Sequence, residues 1–134
     1  MKAVFADSGY WIAVLIPSDT HHAKALEVSR LLGRIRIVTS EMVLSEVLAT
    51  LARPPTREYA VSLVDRVTRD PNTDVVPQTG LQFRDALDRY RARADQSWSL
   101  VDCASFLIME QRGIQDALAH DRHFEQAGFK AVLR

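Results

Sequence analysis

The first apolar run of the chain, "AVFA" at residues 3–6, does not alternate with polar residues, a pattern that predicts a strand buried on both faces. It ends in Asp7, followed at once by Ser8 and Gly9, and a short helix is predicted over 10–16, stopped by Pro17. A second helix is predicted over 20–32, with Ala25, Val28, Leu31 and Leu32 on one face and Gly33 as its stop. The alternating, β-branched stretch "RIRIVTS" predicts a strand over 35–39. Ser40 can then cap a helix running to about residue 53, which the Pro54-Pro55 pair ends. "TREYAVSLVDRVTRD" is amphipathic, with Ala60, Val61, Val64 and Val67 on the side expected to face inward. "TDVVPQ" is expected as a short strand, and residues 80–93 as a heavily charged, solvated helix.

The segment 99–112 is different in kind. Leu100, Val101, Ala104, Phe106, Leu107, Ile108 and Met109 make it apolar nearly all round, which predicts a helix packed inside the molecule, ended by Gly113. "QDALAH" reads as a strand, 121–127 as a short helix stopped by Gly128, and "FKAVLR" as a final strand. Strands alternating with helices, with few hairpin signals, predict a three-layer α/β/α fold around a mainly parallel sheet. The chain shows no linker, repeat or low-complexity segment, so one domain over residues 1–134 is expected.

Composition narrows the picture modestly. Seventeen basic residues balance seventeen acidic ones, so charge neither argues for a nucleic-acid partner nor excludes a local basic patch. Cys103 is the only cysteine, which rules out an internal disulfide and fits a reducing compartment. Lys2 and the later "YWIAVLI" faintly resemble a secretion signal, but Asp7 interrupts the pattern and no small-residue cleavage site follows. With no apolar run of membrane-spanning length, a soluble, cytoplasmic protein is expected.

Candidate chemistry rests on acids placed where strands end or where the following helices open. Asp7 follows the first strand, Glu46 lies in the second turn of the helix after the second, Asp102 in the first turn of the buried helix, and Asp121 after "DALAH". In a parallel sheet these places share the carboxyl edge, where ligands bind. Each acid also has a local explanation. Asp7 or Ser8 could cap a helix, Asp121 likewise, and Ser99-Leu100-Val101-Asp102 has the spacing of a capping box. Glu41 competes with Glu46, and the stripe of Val43, Val47, Leu48 and Leu51 leaves both off its centre.

Together the acids need another account. Two ionised carboxylates about 4 Å apart repel by roughly 4 kcal/mol at an effective dielectric of ~20. A cluster of them requires protonation or a cation, and all-oxygen ligands select a hard one, Mg²⁺ or Mn²⁺. Such a site suits attack of water on a phosphodiester. The pair His120 and His123 gives no closed tetrahedral metal set, and adjacent His21 and His22 cannot share a helix face. Cys103 is expected to pack rather than react. No Gly-rich phosphate loop follows the first strand, and a DxDxT phosphatase would need a second aspartate that Asp7-Ser8-Gly9 lacks.

Four segments, "AVFADSGYWIAVLIPSDTHHAKALE", "TSEMVLSEVLATLAR", "WSLVDCASFLIM" and "ALAHDRHFEQAGFKAVL", resemble in order and spacing the successive signatures of PIN-domain ribonucleases, among them the toxins of VapC-type toxin–antitoxin pairs. The resemblance covers essentially the whole chain. It implies that Asp7, Glu46, Asp102 and Asp121 hold one or two Mg²⁺ or Mn²⁺ ions, choosing Glu46 over Glu41. Ser8 and Ser99 match small hydroxyl positions beside those acids. It further implies an RNA substrate, a homodimer and a protein antitoxin. The helices flanking Pro54-Pro55, through Val43, Val47, Leu48 and Leu51 on one side and Val61, Val64 and Val67 on the other, either line a groove for that partner's apolar helix or close the domain's own core. One position departs: many relatives carry Thr or Ser two residues before the fourth acid, where this chain has Ala119.

Overall fold

The computed structural model of the chain describes residues 2–134. The opening apolar run forms strand β1 (Ala3–Ala6), with Val4, Phe5 and Ala6 buried, as expected of a strand covered on both faces. It is followed by α1 (Ser8–Leu15), α2 (His22–Leu32), β2 (Arg36–Ser40), α3 (Glu41–Thr50), α4 (Thr56–Arg69) and β3 (Thr73–Val76). The second half contains α5 (Gly80–Ala92), α6 (Leu100–Arg112), β4 (Asp116–Leu118), α7 (Arg122–Gln126) and β5 (Lys130–Ala131).

The strands form one sheet in the order β3-β2-β1-β4-β5, and every pairing is parallel. The chain therefore steps outward from β1 through β2 to β3, then returns to the other side of β1 for β4 and β5. Crossovers between parallel strands are right-handed, so the two directions of travel put their helices on opposite faces. The helix contacts agree: α1 packs on α2 and α3, and α3 on α4, while α5 packs on α6 and α6 on α7. The expected three-layer α/β/α architecture is present.

The α6 helix is the buried one. Cys103, Ala104, Ser105, Phe106, Ile108 and Met109 are all enclosed, and Asp102 with them. Phe106 meets Trp98 and Phe124 edge-on at 5.1 and 5.0 Å, fixing α6 against α7. Gly113, at φ +65°, ends the helix in the left-handed conformation that favours glycine. By contrast α5 buries only Ala86, in keeping with a solvated helix.

Several local expectations are corrected. Helix α1 starts at Ser8 rather than Tyr10, because first-turn N–H groups need no intrahelical partner and Ser8 and Gly9 do not obstruct it. Helix α2 starts at His22, since Asp19 accepts the His21 N–H at 2.8 Å and holds a turn there. Leu31 is 76% exposed, so the inward face of α2 is carried by Ala25 and Val28. In α4 the stripe is Ala60, Leu63 and Val67, with Val61 turned outward. The suggested partner groove does not exist as drawn: Val43, Val47, Leu51 and Val67 close the molecule's own core, while Leu48 and Val61 are exposed. The final strand is only two residues long.

Candidate active site

The strand order reverses at β1, whose neighbour β2 leads one way and β4 the other. The crevice beyond the carboxyl ends of β1 and β4 is the switch point at which open α/β sheets bind ligands. The Asp7 N–H donates to the Leu118 carbonyl at 3.1 Å, tying the two strand exits together. Behind them, Thr39 donates to the Ala6 carbonyl at 2.8 Å and accepts from the Trp11 indole at 3.3 Å, fixing β1, β2 and α1 to one another. The base of the crevice is therefore rigid.

A pocket of about 280 Å³ opens there, lined by Asp7, Ser8, Glu46, Ser99, Asp102 and Asp121, together with Gly9, Ser97, His120 and His123. All four acids singled out in the sequence thus come to one pocket, as do both serines. Glu41 does not. It is exposed and accepts the Gln78 N–H at 2.7 Å, which holds β3's exit against α3.

The local explanations for these acids divide. Asp7 occupies the N-cap position of α1 yet makes no side-chain capping bond, and the Ser8 hydroxyl donates to Glu46 instead. Asp102 does belong to a capping box: it accepts the Ser99 N–H at 3.0 Å, and Ser99 Oγ accepts the Asp102 N–H at 3.0 Å. Asp121 caps α7 by accepting the His123 N–H at 3.0 Å. For Asp102 and Asp121, capping and pocket-facing roles are compatible, because a carboxylate has lone pairs for both.

Asp7 is the acid under greatest electrostatic load. It is 8% exposed, and its Oδ1 has no hydrogen-bond partner among the described residues. Burial pushes its pKa from 3.8 up to about 7, with the charge of Asp102 next in weight, opposed by a hydrogen bond from the Ser8 backbone, and with Glu46 and Asp121 adding to the rise. A cation would satisfy the unpartnered oxygen and reverse the repulsion, so the donor set fits a hard metal ion. Among the described residues no three His, Cys, Asp or Glu side chains stand as a finished ligand set. Glu46 is held by Ser8, and Asp102 by Ser99 and His123, so each would turn part of its coordination toward the shared centre.

Histidines complete the pocket, and the sequence reading did not assign them this place. His123 Nδ1–H donates to Asp102 Oδ2 at 2.9 Å and lies 3.3 Å from Asp121 Oδ2, while Ser97 Oγ sits 3.3 Å from its Nε2. His120 stacks on His21 at 3.9 Å with the rings 3° from parallel. Burial, and then His21, hold the His120 pKa below the usual imidazole range, with Asp121 and Asp19 opposing. The signal was available: both histidines flank the acid at the exit of β4, which puts them at the crevice whether or not they touch metal. Cys103 is buried and its thiol is pushed up by burial, in accord with a packing role. Ala119 is fully buried and offers no hydroxyl beside Asp121.

Comparison with known proteins follows this geometry. The PIN domain family matches residues 4–130. The 23S rRNA-specific endonuclease VapC20 of Mycobacterium tuberculosis is 28% identical over 130 residues, 96% of this chain and 97% of that protein. The crystal structure of that VapC20, described as a Sarcin-Ricin loop cleaving toxin, superposes with a TM-score of 0.82 over 95% of this chain and 96% of its own. FitAcB from Neisseria gonorrhoeae shares the fold at 14% identity, with a TM-score of 0.63 over 96% of this chain and 95% of that one.

Proposed function

This chain belongs to the PIN-domain family, and we propose that it is a divalent-metal-dependent endoribonuclease acting as the toxin of a toxin–antitoxin pair. The observation that carries the reading is Asp7, a buried carboxyl with an unpartnered oxygen, facing three other acids in the switch-point crevice. Mg²⁺ or Mn²⁺ held by Asp7, Glu46, Asp102 and Asp121 would supply charge to the scissile phosphate and a water acidic enough to attack it at neutral pH.

The chain's own residues prepare that chemistry. Asp7 shares its proton with solvent near pH 7, and cation binding favours its ionised form. Ser8 orients Glu46, and Ser99 with His123 orients Asp102, fixing the directions in which these carboxylates present their remaining lone pairs. The crevice opens to the surface, where an RNA strand can reach the acids.

The mycobacterial relative is named for 23S rRNA, and ribosomal RNA is the substrate to try first. A ribosomal RNA substrate supports a cytoplasmic location; no helix among the described residues is long and apolar enough to cross a membrane. We assign residues 1–134 to one PIN-like domain that forms a homodimer and is silenced by a protein antitoxin. A basic antitoxin side chain against the acids would replace the cation's charge.

The test is cleavage of purified rRNA and total RNA by the purified chain with Mg²⁺, with Mn²⁺ and with EDTA. Discrete fragments that depend on either metal and vanish in Asp7→Asn and Asp102→Asn are expected. RNA binding without any metal-dependent cleavage would leave a binding module in place of the enzyme. Co-purification with the product of an adjacent small gene, and relief of growth arrest by it, tests the toxin assignment separately.

A further inference from the structure

A second cleft, about 450 Å³ in volume, lies between the end of α5 and the start of α6, lined by Leu87, Tyr90, Arg91, Arg93, Ser97 and Trp98. Its size is that of a small-molecule site. Ser97 lines both this cleft and the acidic pocket, so the two are neighbours on the surface. Its floor is fixed. Trp98 is buried, donates its indole N–H to Gln126 at 3.2 Å, and carries the Arg93 guanidinium 4.8 Å above its ring. Arg93 is itself forked onto Asp95 at 3.0 and 3.1 Å, so its charge is already matched.

Two groups in the cleft are not used by the fold. Tyr90 is 51% exposed, an aromatic ring left outside the core. Among the described residues Arg91 pairs with Asp88 at 3.3 Å, with the two side chains 69% and 75% exposed. A pair so exposed is screened by solvent and holds little energy, so exchanging the aspartate for a phosphate costs little. An aromatic face beside an available guanidinium is the combination that holds a single-stranded nucleotide, base on ring and phosphate on arginine. Because the whole chain is neutral, phosphate contacts must come from such local sites.

We propose that this cleft is a nucleotide subsite of the enzyme: it takes an unpaired nucleotide of the RNA strand next to the one cut, with its base stacked on Tyr90 and its phosphate on Arg91. The assignment rests on the ribonuclease reading and extends it, since Ser97 borders both the acids and this cleft and a strand crossing the acids needs to run only past that residue to reach it. The mode is sequence-tolerant by itself, because every base has a stacking face.

The experiment measures binding of a fluorescein-labelled, mixed-sequence single-stranded RNA to the full chain in EDTA, by anisotropy across a salt series, alongside cleavage in Mg²⁺. Tyr90→Ala is expected to weaken binding about tenfold, the scale of one lost base stack, and Tyr90→Phe to stay within about twofold of wild type. Arg91→Ala should flatten the dependence of log affinity on log salt by ~0.7, as for one lost single-strand phosphate contact. In cleavage, Tyr90→Ala should raise KM and leave kcat nearly unchanged. Thermal unfolding, unaltered for these exposed positions, separates the result from misfolding. If the wild type cuts RNA but Tyr90→Ala and Arg91→Ala bind and cut as it does, the subsite is wrong and the nuclease reading stands. If the wild type neither binds nor cuts any RNA, both fall.

Discussion

His123 presents Nδ1 to Asp102 at 2.9 Å and to Asp121 at 3.3 Å, so one imidazole ties an acid from the start of α6 to an acid at the exit of β4. If those acids hold the proposed cation, His123 would be an outer-sphere partner that orients them. Replacing it leaves both carboxylates free to rotate. His123→Ala is expected to lower cleavage and Mn²⁺ affinity together by about 10–100-fold, with the fold retained because the side chain is only half-buried. Mn²⁺ binding followed by electron paramagnetic resonance, beside the cleavage assay, checks this; affinity and rate equal to wild type would remove His123 from the site's support.

Asp7 makes stability depend on pH in an unusual direction. Its carboxyl has a pKa of about 7 in the folded chain against 3.8 when unfolded. Between those values the folded state holds a proton that the unfolded state has lost, so metal-free stability falls as pH rises through that window. A tenfold difference in proton affinity is about 1.4 kcal/mol, which makes the total on the order of 4 kcal/mol. Asp7→Asn should therefore unfold at a higher temperature than wild type at pH 8 in EDTA, and at nearly the same temperature at pH 4. Mg²⁺ should stabilise the wild type more at pH 8 than at pH 5, since the cation binds the ionised carboxylate. Thermal scans across pH, with and without metal, give the answer. Parallel pH curves for the two proteins would show that Asp7 carries no such load.

Gly9 permits the histidine stack to reach the pocket. A Cβ at that position would lie 2.8 Å from His120 Nε2, closer than real Cβ contacts allow, and a tight 3.1 Å from its Cδ2. His120 cannot simply swing away, because His21 lies flat against it at 3.9 Å. Gly9→Ala is therefore expected to destabilise by about 1–3 kcal/mol, the range for crowding a packed site, despite the better helix propensity of alanine. The double variant Gly9→Ala/His120→Ala should recover most of that loss. Denaturant unfolding of the two variants and the His120→Ala parent measures the coupling directly.

The sheet and the buried helix were legible because their signals are local and strong. The unbroken apolar run at 3–6 and the all-round apolar segment at 100–109 both predict burial, and both are buried. Leu31 and Val61 were misplaced because neighbouring apolar positions on a surface helix compete for one inward face, and only packing decides between them. Asp7, Asp102 and Asp121 stand out from topology, since parallel strands put their exits on one edge, whereas in the sequence Glu46 is separated from Glu41 only by the family resemblance. What topology could not supply was the role of His123, Ser97 and Gly9. Those depend on side-chain directions between α7, the segment before α6, and the loop after β4 that meets α1, set by contacts between residues far apart in sequence.

The two glutamates of α3 give the sharpest separation of site from scaffold. Glu46 lines the acidic pocket and receives the Ser8 hydroxyl, while Glu41, five residues earlier, is exposed and accepts one backbone N–H from Gln78. Both substitutions to glutamine remove one charge from the same helix and leave an amide oxygen able to accept the same hydrogen bond. Any difference between them therefore reports position rather than helix stability. Glu46→Gln is expected to lower cleavage by at least about a hundredfold, as loss of a charged metal ligand weakens both binding and orientation. Glu41→Gln should leave cleavage within about twofold and change stability by no more than ~0.5 kcal/mol, the usual range for a surface substitution. Single-turnover cleavage at saturating Mg²⁺ and thermal unfolding of both variants make the comparison. Equal activities would detach Glu46 from the site and return the choice between the two to their roles in the helix.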